Sequence, residues 1–168
     1  MSHERSLAEP AFPGDDGQVH PALAEVMHDR LGTLGALGHA RVFVPIIAVL
    51  GHGAADGSGG GAGPRAAQGT DKNAEMAAVL ITGADGRRAL LAFRSVASMT
   101  RWNAEARPVP VHGQAAAQSA VAEGASALLL DLGSPEMLVV ETEDLQHVAA
   151  GDQLVRTAAG TAWVTGSD

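Results

Sequence analysis

Histidines are the residues in this chain best able to bind a metal ion or carry a proton, and there are seven of them. No two histidines lie three to five residues apart, the spacing at which one turn of a helix directs two ligands at one ion. The chain has no cysteine to complete a zinc knuckle. The sequence therefore predicts no metal site, and no cofactor is assigned.

Carboxylates and serines are the other candidates for catalysis. Asp71 and Glu75 flank Lys72 at the spacing that would place both carboxylates on one face of a helix, as acid–base chemistry requires. This segment favours a turn that enters a strand, in which the two side chains separate. Ser119 and Ser126 lack the glycine-flanked elbow of a serine hydrolase. No catalytic residue is assigned, and the sequence favours a protein that is not an enzyme.

A glycine-rich stretch, residues 51–68, follows the first apolar run and could in principle cradle a phosphate group. It lacks the Gly-Lys-Ser/Thr ending of a P-loop, and Asp56 stands where a dinucleotide fingerprint needs its third glycine. Its glycines are separated mainly by alanine, serine and aspartate, which is typical of a flexible linker. We therefore expect a flexible loop there.

The net charge of −8 disfavours nucleic acid and anionic membranes as partners, because no cluster of basic residues offsets it locally. The longest apolar run, residues 42–50, is too short to span a bilayer and contains Pro45. The absence of cysteine is compatible with a reducing compartment. Together these features predict a cytoplasmic location.

The elements that would position any site begin after residues 1–20, which read as a flexible leader. Apolar residues from Pro21 to Leu37 follow the three-and-four spacing of an amphipathic helix. Residues 41–50 are β-branched and apolar, as in a buried strand. Pro45 lacks a backbone donor, which predicts an edge strand or a bulge.

Two segments in the second half share one order of elements, a hairpin followed by a helix. In the first, residues 75–82 and 88–93 are strands around an Asp85-Gly86 turn, and Ser95 caps a helix that runs to Asn103. In the second, residues 126–132 and 137–141 are strands around a turn at 133–136, and Thr142 caps a helix. The pattern predicts two similar hairpin–helix units.

The remaining pieces complete a domain over residues 21–150. Residues 108–111 form a short extended piece, and residues 114–123 an alanine-rich helix. Residues 151–168 could be extra strands or an ordered tail. Because hairpins require antiparallel pairs, the predicted class is α+β: a single domain with a mixed, mainly antiparallel sheet of about five strands and three to four helices.

Several short motifs resemble the SseB N-terminal domain family, labelled "enhanced serine sensitivity". They lie between about residues 36 and 150 and are listed here in order: 72–80, 83–87, 92–96, Trp102, 107–111 and 125–131. The resemblance implies a bacterial, cytoplasmic α+β domain with no agreed catalytic residues to transfer. Arg94 departs from the pattern, since the family tends to have a small hydroxyl residue before Ser95.

The candidate binding residues lie in and near these motifs: Lys72, Glu75, Phe93, Ser95 and Trp102. Phe93, Ser95 and Trp102 could form a recognition patch where strand, cap and helix meet, or simply pack a capped helix onto its own hairpin. Two functions stay open. One is a non-catalytic protein-interaction or regulatory module, with a protein partner or self-association as a homodimer. The other is a small-metabolite-binding domain or cryptic enzyme.

Overall fold

The computed structural model of the chain describes residues 12–48, 65–66 and 76–166. These residues form five helices and nine strands. The helices are α1 (Pro21–Ala24), α2 (Arg30–Leu37), α3 (Val96–Trp102), α4 (Gly113–Ala122) and α5 (Thr142–Ala150). The strands are β1 (Arg41–Ala48), β2 (Arg65–Ala66), β3 (Met76–Thr82), β4 (Arg88–Ala92), β5 (Arg107–His112), β6 (Ala127–Leu130), β7 (Leu138–Glu141), β8 (Gln153–Thr157) and β9 (Gly160–Val164).

A mixed sheet in the order β5-β1-β3-β4-β6-β7 organises the domain, with β2 added beside β3. The predicted α+β class is confirmed, and β5 and β2 raise the strand number above the expected five. All pairs in the sheet are antiparallel except β4 and β6. That parallel pair joins the two hairpin–helix units, which both form as predicted. The connection from β4 to α3 and the β6–β7 turn therefore meet at one end of the sheet, at the carboxyl ends of β4 and β6.

The sheet separates two apolar clusters, because alternate residues of a strand point to opposite faces. On one face, α2, α4 and α5 pack on Val42, Leu90 and Leu128. On the other face, α3 contributes Met99 to a smaller cluster that includes Leu91. Helix α3 is therefore the helical cover on this second face within the described part of the chain.

Pro45 lies inside the sheet, so the edge-strand prediction is wrong. Strand β1 pairs with β5 through residues 41–46 and with β3 through residues 46–48. The register along β5 is continuous past Pro45, which faces Pro108, so there is no bulge on that side. Phe43 exchanges two backbone hydrogen bonds with Phe93, each 2.8 Å. The backbone nitrogen of Pro45, which has no hydrogen to donate, faces the same side of β1 as the two Phe43–Phe93 bonds, where β3 and the end of β4 diverge.

The true edge at β5 is protected by its own prolines. The N–H of Gly113 donates to the carbonyl of Ala40, which fixes the odd-numbered residues of β5 as those bonded to β1. Pro108 and Pro110 therefore occupy the outward positions, where a further strand would need donors. At the opposite edge, β7 is four residues long, and Arg30 Nη2 donates to its Val139 carbonyl at 3.4 Å.

The predicted helix over residues 21–37 is two helices, α1 and α2, with turn residues between them. Asp29 begins the second helix, since its carboxylate accepts from the N–H of Leu31 at 3.1 Å. The Thr33 hydroxyl donates to the carbonyl of Val26 at 2.8 Å and holds the turn against α2. The apolar spacing fits either one long helix or two short ones, but these local polar bonds favour two helices separated by a turn.

Capping was predicted correctly in one unit and wrongly in the other. Ser95 accepts from the N–H of Ser98 at 3.1 Å, as expected of an N-cap. Thr142 is the first residue of α5 and not its cap; its hydroxyl donates to the carbonyl of Ser126 at 3.2 Å. The predicted turn at residues 83–86 is present, with Gly86 at φ +81°.

The two ends of the chain also contact the domain. Residues 12–20 of the predicted leader lie against it: the N–H of Val96 donates to the carbonyl of Gly17 at 2.9 Å. At the other end, β8 and β9 form a hairpin, the first of the two alternatives for the tail. Residues 1–11, most of the predicted glycine-rich loop, and Lys72 and Glu75 lie outside the described residues. Among the helices that are described, none is long and apolar enough to cross a membrane.

Candidate functional site

The parallel strands β4 and β6 bring two charged residues together at their carboxyl ends. Ala92 pairs with Leu130, and the next residues along each strand lead directly to Arg94 and Asp131. The N–H of Asp131 donates to the carbonyl of Ala92 at 2.9 Å, which fixes the start of the β6–β7 turn. Carboxyl ends of parallel strands are common positions for ligand sites, because loops from neighbouring units converge there.

Arg94 and Asp131 form a buried ion pair. Their exposed fractions are 2% and 4%. The guanidinium Nη1 donates to the Asp131 carboxylate and to the carbonyl of Glu136 at 3.0 Å, while the backbone N–H of Arg94 donates to Asp131 Oδ1 at 2.8 Å. Asp131 adopts a left-handed backbone at φ +58°, which aspartate tolerates better than most residues. Each charge thus has a partner in a site that excludes water.

The serines of α3 extend this network. The Ser98 hydroxyl lies 3.2 Å from Asp131 Oδ1 and 3.0 Å from the carbonyl of Ser95. A serine nucleophile needs a base to accept its proton. Asp131 is already engaged by Arg94, and no histidine of the described residues hydrogen-bonds to either serine. The arrangement therefore orients α3 and supplies no activated nucleophile.

A second buried arginine, Arg41, links the N-terminal residues to the same region. Its guanidinium donates to Asp15 at 2.9 Å and to the carbonyl of Arg94 at 3.0 Å. It also lies over the ring of Phe43, 4.2 Å from the centroid. Asp15 is therefore part of the charged framework beneath the site, although it belongs to the predicted leader.

Trp102 lies on the surface beside this framework. Its ring is half-buried and packs on the fully buried Phe93, with the centroids 5.5 Å apart. A cavity of about 350 Å³ opens next to it. We call its lining the Trp102 surface: Ser98, Arg101, Trp102, Leu132, Gly133, Ser134 and Pro135.

This chain matches the SseB protein N-terminal domain family over residues 20–147. The matched span includes α1 to α4, most of α5 and the whole mixed sheet. The chain belongs to the SseB N-terminal domain family. Arg94, Asp131 and Trp102 lie within the SseB match, whereas the β8–β9 hairpin follows it. No curated protein and no solved structure matches the chain.

The sequence-predicted binding residues of this SseB domain do not form one surface. Phe93 is fully buried, so it supports the tryptophan without offering a surface of its own. Ser95 is buried and occupied as a helix cap. Trp102 alone of these three reaches the surface. Lys72 and Glu75 stay predictions, since they lie outside the described residues.

Arg94 and Asp131 were missed as a pair, although each carried a signal. Arg94 was noted only as a departure from the family pattern. Asp131 ends an apolar run at residues 127–130, which is where a strand that leads into a site often carries a carboxylate. Neither signal identifies the other residue, because they lie 37 positions apart and meet only through the parallel β4–β6 pairing.

A larger cleft of about 730 Å³ lies on the helical face, between α2, α4 and the β8–β9 hairpin. Trp163 forms part of its wall, with its ring stacked 5.0 Å from that of His147 and its N–H donating to Asp144 at 3.0 Å. Nδ1 of His147 also lies 2.6 Å from Oδ2 of Asp152. Sequence reasoning overlooked this cluster. Across the parts of the chain that are described, no three histidine or carboxylate side chains are grouped to hold a metal ion.

Proposed function

We propose that this SseB domain is a cytoplasmic, non-catalytic protein-interaction module that binds its partner through the Trp102 surface. The observation that carries the proposal is the position of Trp102 and Arg101 side by side at a cavity of about 350 Å³. Tryptophan and arginine are the residue types that most often dominate the binding energy of protein interfaces. Both are accessible here: Arg101 is exposed and Trp102 half-buried.

Rigidity supports this assignment. The ring of Trp102 rests on Phe93, and the helix that carries it is capped by Ser95. The Ser98 hydroxyl bonds to the buried Asp131, which adds a tertiary anchor to the same helix. A surface whose side chains are already held in place loses little conformational entropy when a partner binds. The buried residues therefore hold the half-buried Trp102 in place.

Charge indicates the chemistry of the partner. The Trp102 surface contains the cation Arg101 and no carboxylate, although the whole chain carries a net charge of −8. Leu132 and Pro135 add apolar area to the cavity. Such a surface suits a protein segment with an apolar side chain next to an acidic residue, because the apolar group fills the cavity and the acid pairs with Arg101.

The sheet edges do not offer an equivalent route. At the β5 edge, Pro108 and Pro110 remove the outward donors, and the β7 edge is short and bonded by Arg30. Addition of a partner strand needs a row of free backbone donors and acceptors. Neither partner capture nor homodimer formation is therefore proposed through the β5 or the β7 edge.

The test uses the whole chain as an affinity bait in lysate of its native organism. Arg101→Glu reverses the charge of the Trp102 surface at an exposed position. Arg87→Glu is the matched control, because Arg87 is also exposed and lies in the β3–β4 turn at the opposite end of β4. We expect one protein to be retained by the wild type and by Arg87→Glu, and to fall by about tenfold with Arg101→Glu.

A photo-crosslinking residue at position 101 should join the same protein, and one at position 87 should not. Thermal unfolding of both variants must match that of the wild type. Retention of the same proteins by all three baits, or recovery of the bait alone, would overturn the proposal.

A further inference from the structure

A smaller cavity of about 150 Å³ lies on the other side of the Arg94–Asp131 pair. We call it the Arg94 cavity. Its lining is Met27, His28, Arg30, Thr33, Arg94, Pro135, Glu136, Met137 and Leu138. It is bordered by the start of α2 and by the β6–β7 turn, and it shares only Pro135 with the Trp102 surface.

Within the described residues, the hydrogen-bonding capacity of Arg94 is only partly used. Nη1 makes the bonds to Asp131 and to the Glu136 carbonyl. Nε is buried without a hydrogen-bond partner, and Nη2 also makes none within the part of the chain that is described. A buried donor without an acceptor is costly, so such a group in a native protein calls for an ordered water or a bound group as its partner.

Nε and Nη2 of Arg94 are arranged to bind one specific kind of ligand. In a guanidinium, the Nε–H and one Nη2–H point the same way and match the two oxygens of a carboxylate. Arg94 is 2% exposed and lines the cavity, so its charge is screened by water and salt less than that of a surface arginine. Arg30 adds a second cation to the lining. Glu136 is the one carboxylate of the lining, and it is paired with His28 at 3.1 Å.

We infer that the Arg94 cavity binds a short aliphatic carboxylate, whose two oxygens accept from Nε and Nη2 of Arg94. Its volume of about 150 Å³ is below the range of typical drug-sized sites, roughly 300–1,000 Å³, and limits the ligand to a few heavy atoms. Met27, Met137 and Leu138 provide an apolar lining for the short chain of the acid. This binding site is independent of the Trp102 surface and does not rest on the protein-interaction proposal.

Sodium propionate is the probe. Titration into the ¹⁵N-labelled full-length chain should shift the amide signals of Thr33 and Leu138 along a saturable curve. Sodium chloride at the same ionic strength should not. Arg94→Lys keeps the charge but loses the paired donors, so we expect the dissociation constant to rise by about tenfold.

Arg30→Met provides a second variant that does not disturb the buried pair, since Arg30 is exposed. It should weaken propionate binding several-fold, whereas the matched control Arg87→Met should leave it unchanged. If Arg94→Lys fails to fold, the comparison of Arg30→Met with Arg87→Met decides whether propionate binds in the Arg94 cavity. Shifts that grow linearly with concentration, shifts equal to those from chloride, or equal binding by Arg30→Met and Arg87→Met would overturn the inference.

Discussion

The Arg94 guanidinium and the Asp131 carboxylate form a buried ion pair at the carboxyl ends of the neighbouring parallel strands β4 and β6. Asp131 also accepts hydrogen bonds from the Arg94 backbone and from the Ser98 hydroxyl. Because one side chain organises strand β4, helix α3 and the β6–β7 turn, this pair determines how the two hairpin–helix units fit together.

Replacing Asp131 with asparagine should destabilise the protein by about 3 to 5 kcal/mol, since it leaves the Arg94 charge buried without its counter-charge. Asparagine tolerates the backbone of φ +58°, so the substitution isolates the loss of charge. Urea unfolding measures the effect. The exposed Arg87–Glu141 pair is the control, and Arg87→Met should cost less than about 1 kcal/mol. Equal losses for the two variants would contradict a stabilising role of the buried pair.

Trp102→Ala should reduce the free energy of unfolding by roughly 1.5 to 3 kcal/mol, a core-type loss discounted for partial exposure. The physical reason is the lost packing of the indole on Phe93. Trp102→Phe retains an aromatic ring and should cost less. Chemical denaturation of the three proteins provides the measurement. A loss within about 0.5 kcal/mol for the alanine variant would show that the ring is not packed.

Gly113→Ala should destabilise the protein by about 2 to 3 kcal/mol, because a Cβ there would lie 1.9 Å from the carbonyl oxygen of Leu37. The backbone of α2 cannot move away without disturbing the core. Gly35→Ala, in the interior of α2, is the matched control. The nearest atom to its new Cβ is 3.7 Å away, on Leu154, so it should stabilise the helix by about 0.5 to 1 kcal/mol. Thermal or urea unfolding that ranks the two variants in the opposite order would refute this packing.

Asp29 should make stability depend on acid pH. The backbone N–H of Gly32 above all, and the nearby Arg156, lower the pKa of Asp29 from its ordinary value of 3.8. Its stabilising effect is therefore present above pH 3.8 and is lost as the pH falls through the lower pKa of the folded state. Asp29→Ala should lower the urea midpoint at neutral pH, and the gap to the wild type should narrow below pH 3.8. A gap that stays constant with pH would show that the charge of Asp29 is not involved.

Short-range physics made part of this fold readable from the sequence. Gly86 forms its turn through a positive φ, and Ser95 caps α3 through a bond to Ser98. Both effects involve only neighbouring residues, so the first unit could be predicted. The second unit was predicted for the same reason, because two short apolar runs on either side of a turn favour a hairpin.

Pairing between distant segments was decided only by the tertiary structure. A proline such as Pro45 is typical of an edge strand, yet β5 lies outside β1 and pairs its Pro108, 63 positions away, with Pro45. The prolines at the actual edge of the sheet are therefore those of β5. Arg94 meets Asp131 because β4 accepts β6 as a parallel neighbour, and nothing local to either residue encodes that choice. Trp163 reaches His147 only once the β8–β9 hairpin folds back on α5. Hydrogen bonds between strands form with any extended partner, so the apolar faces that must be buried together select the partner, and that selection belongs to the whole chain.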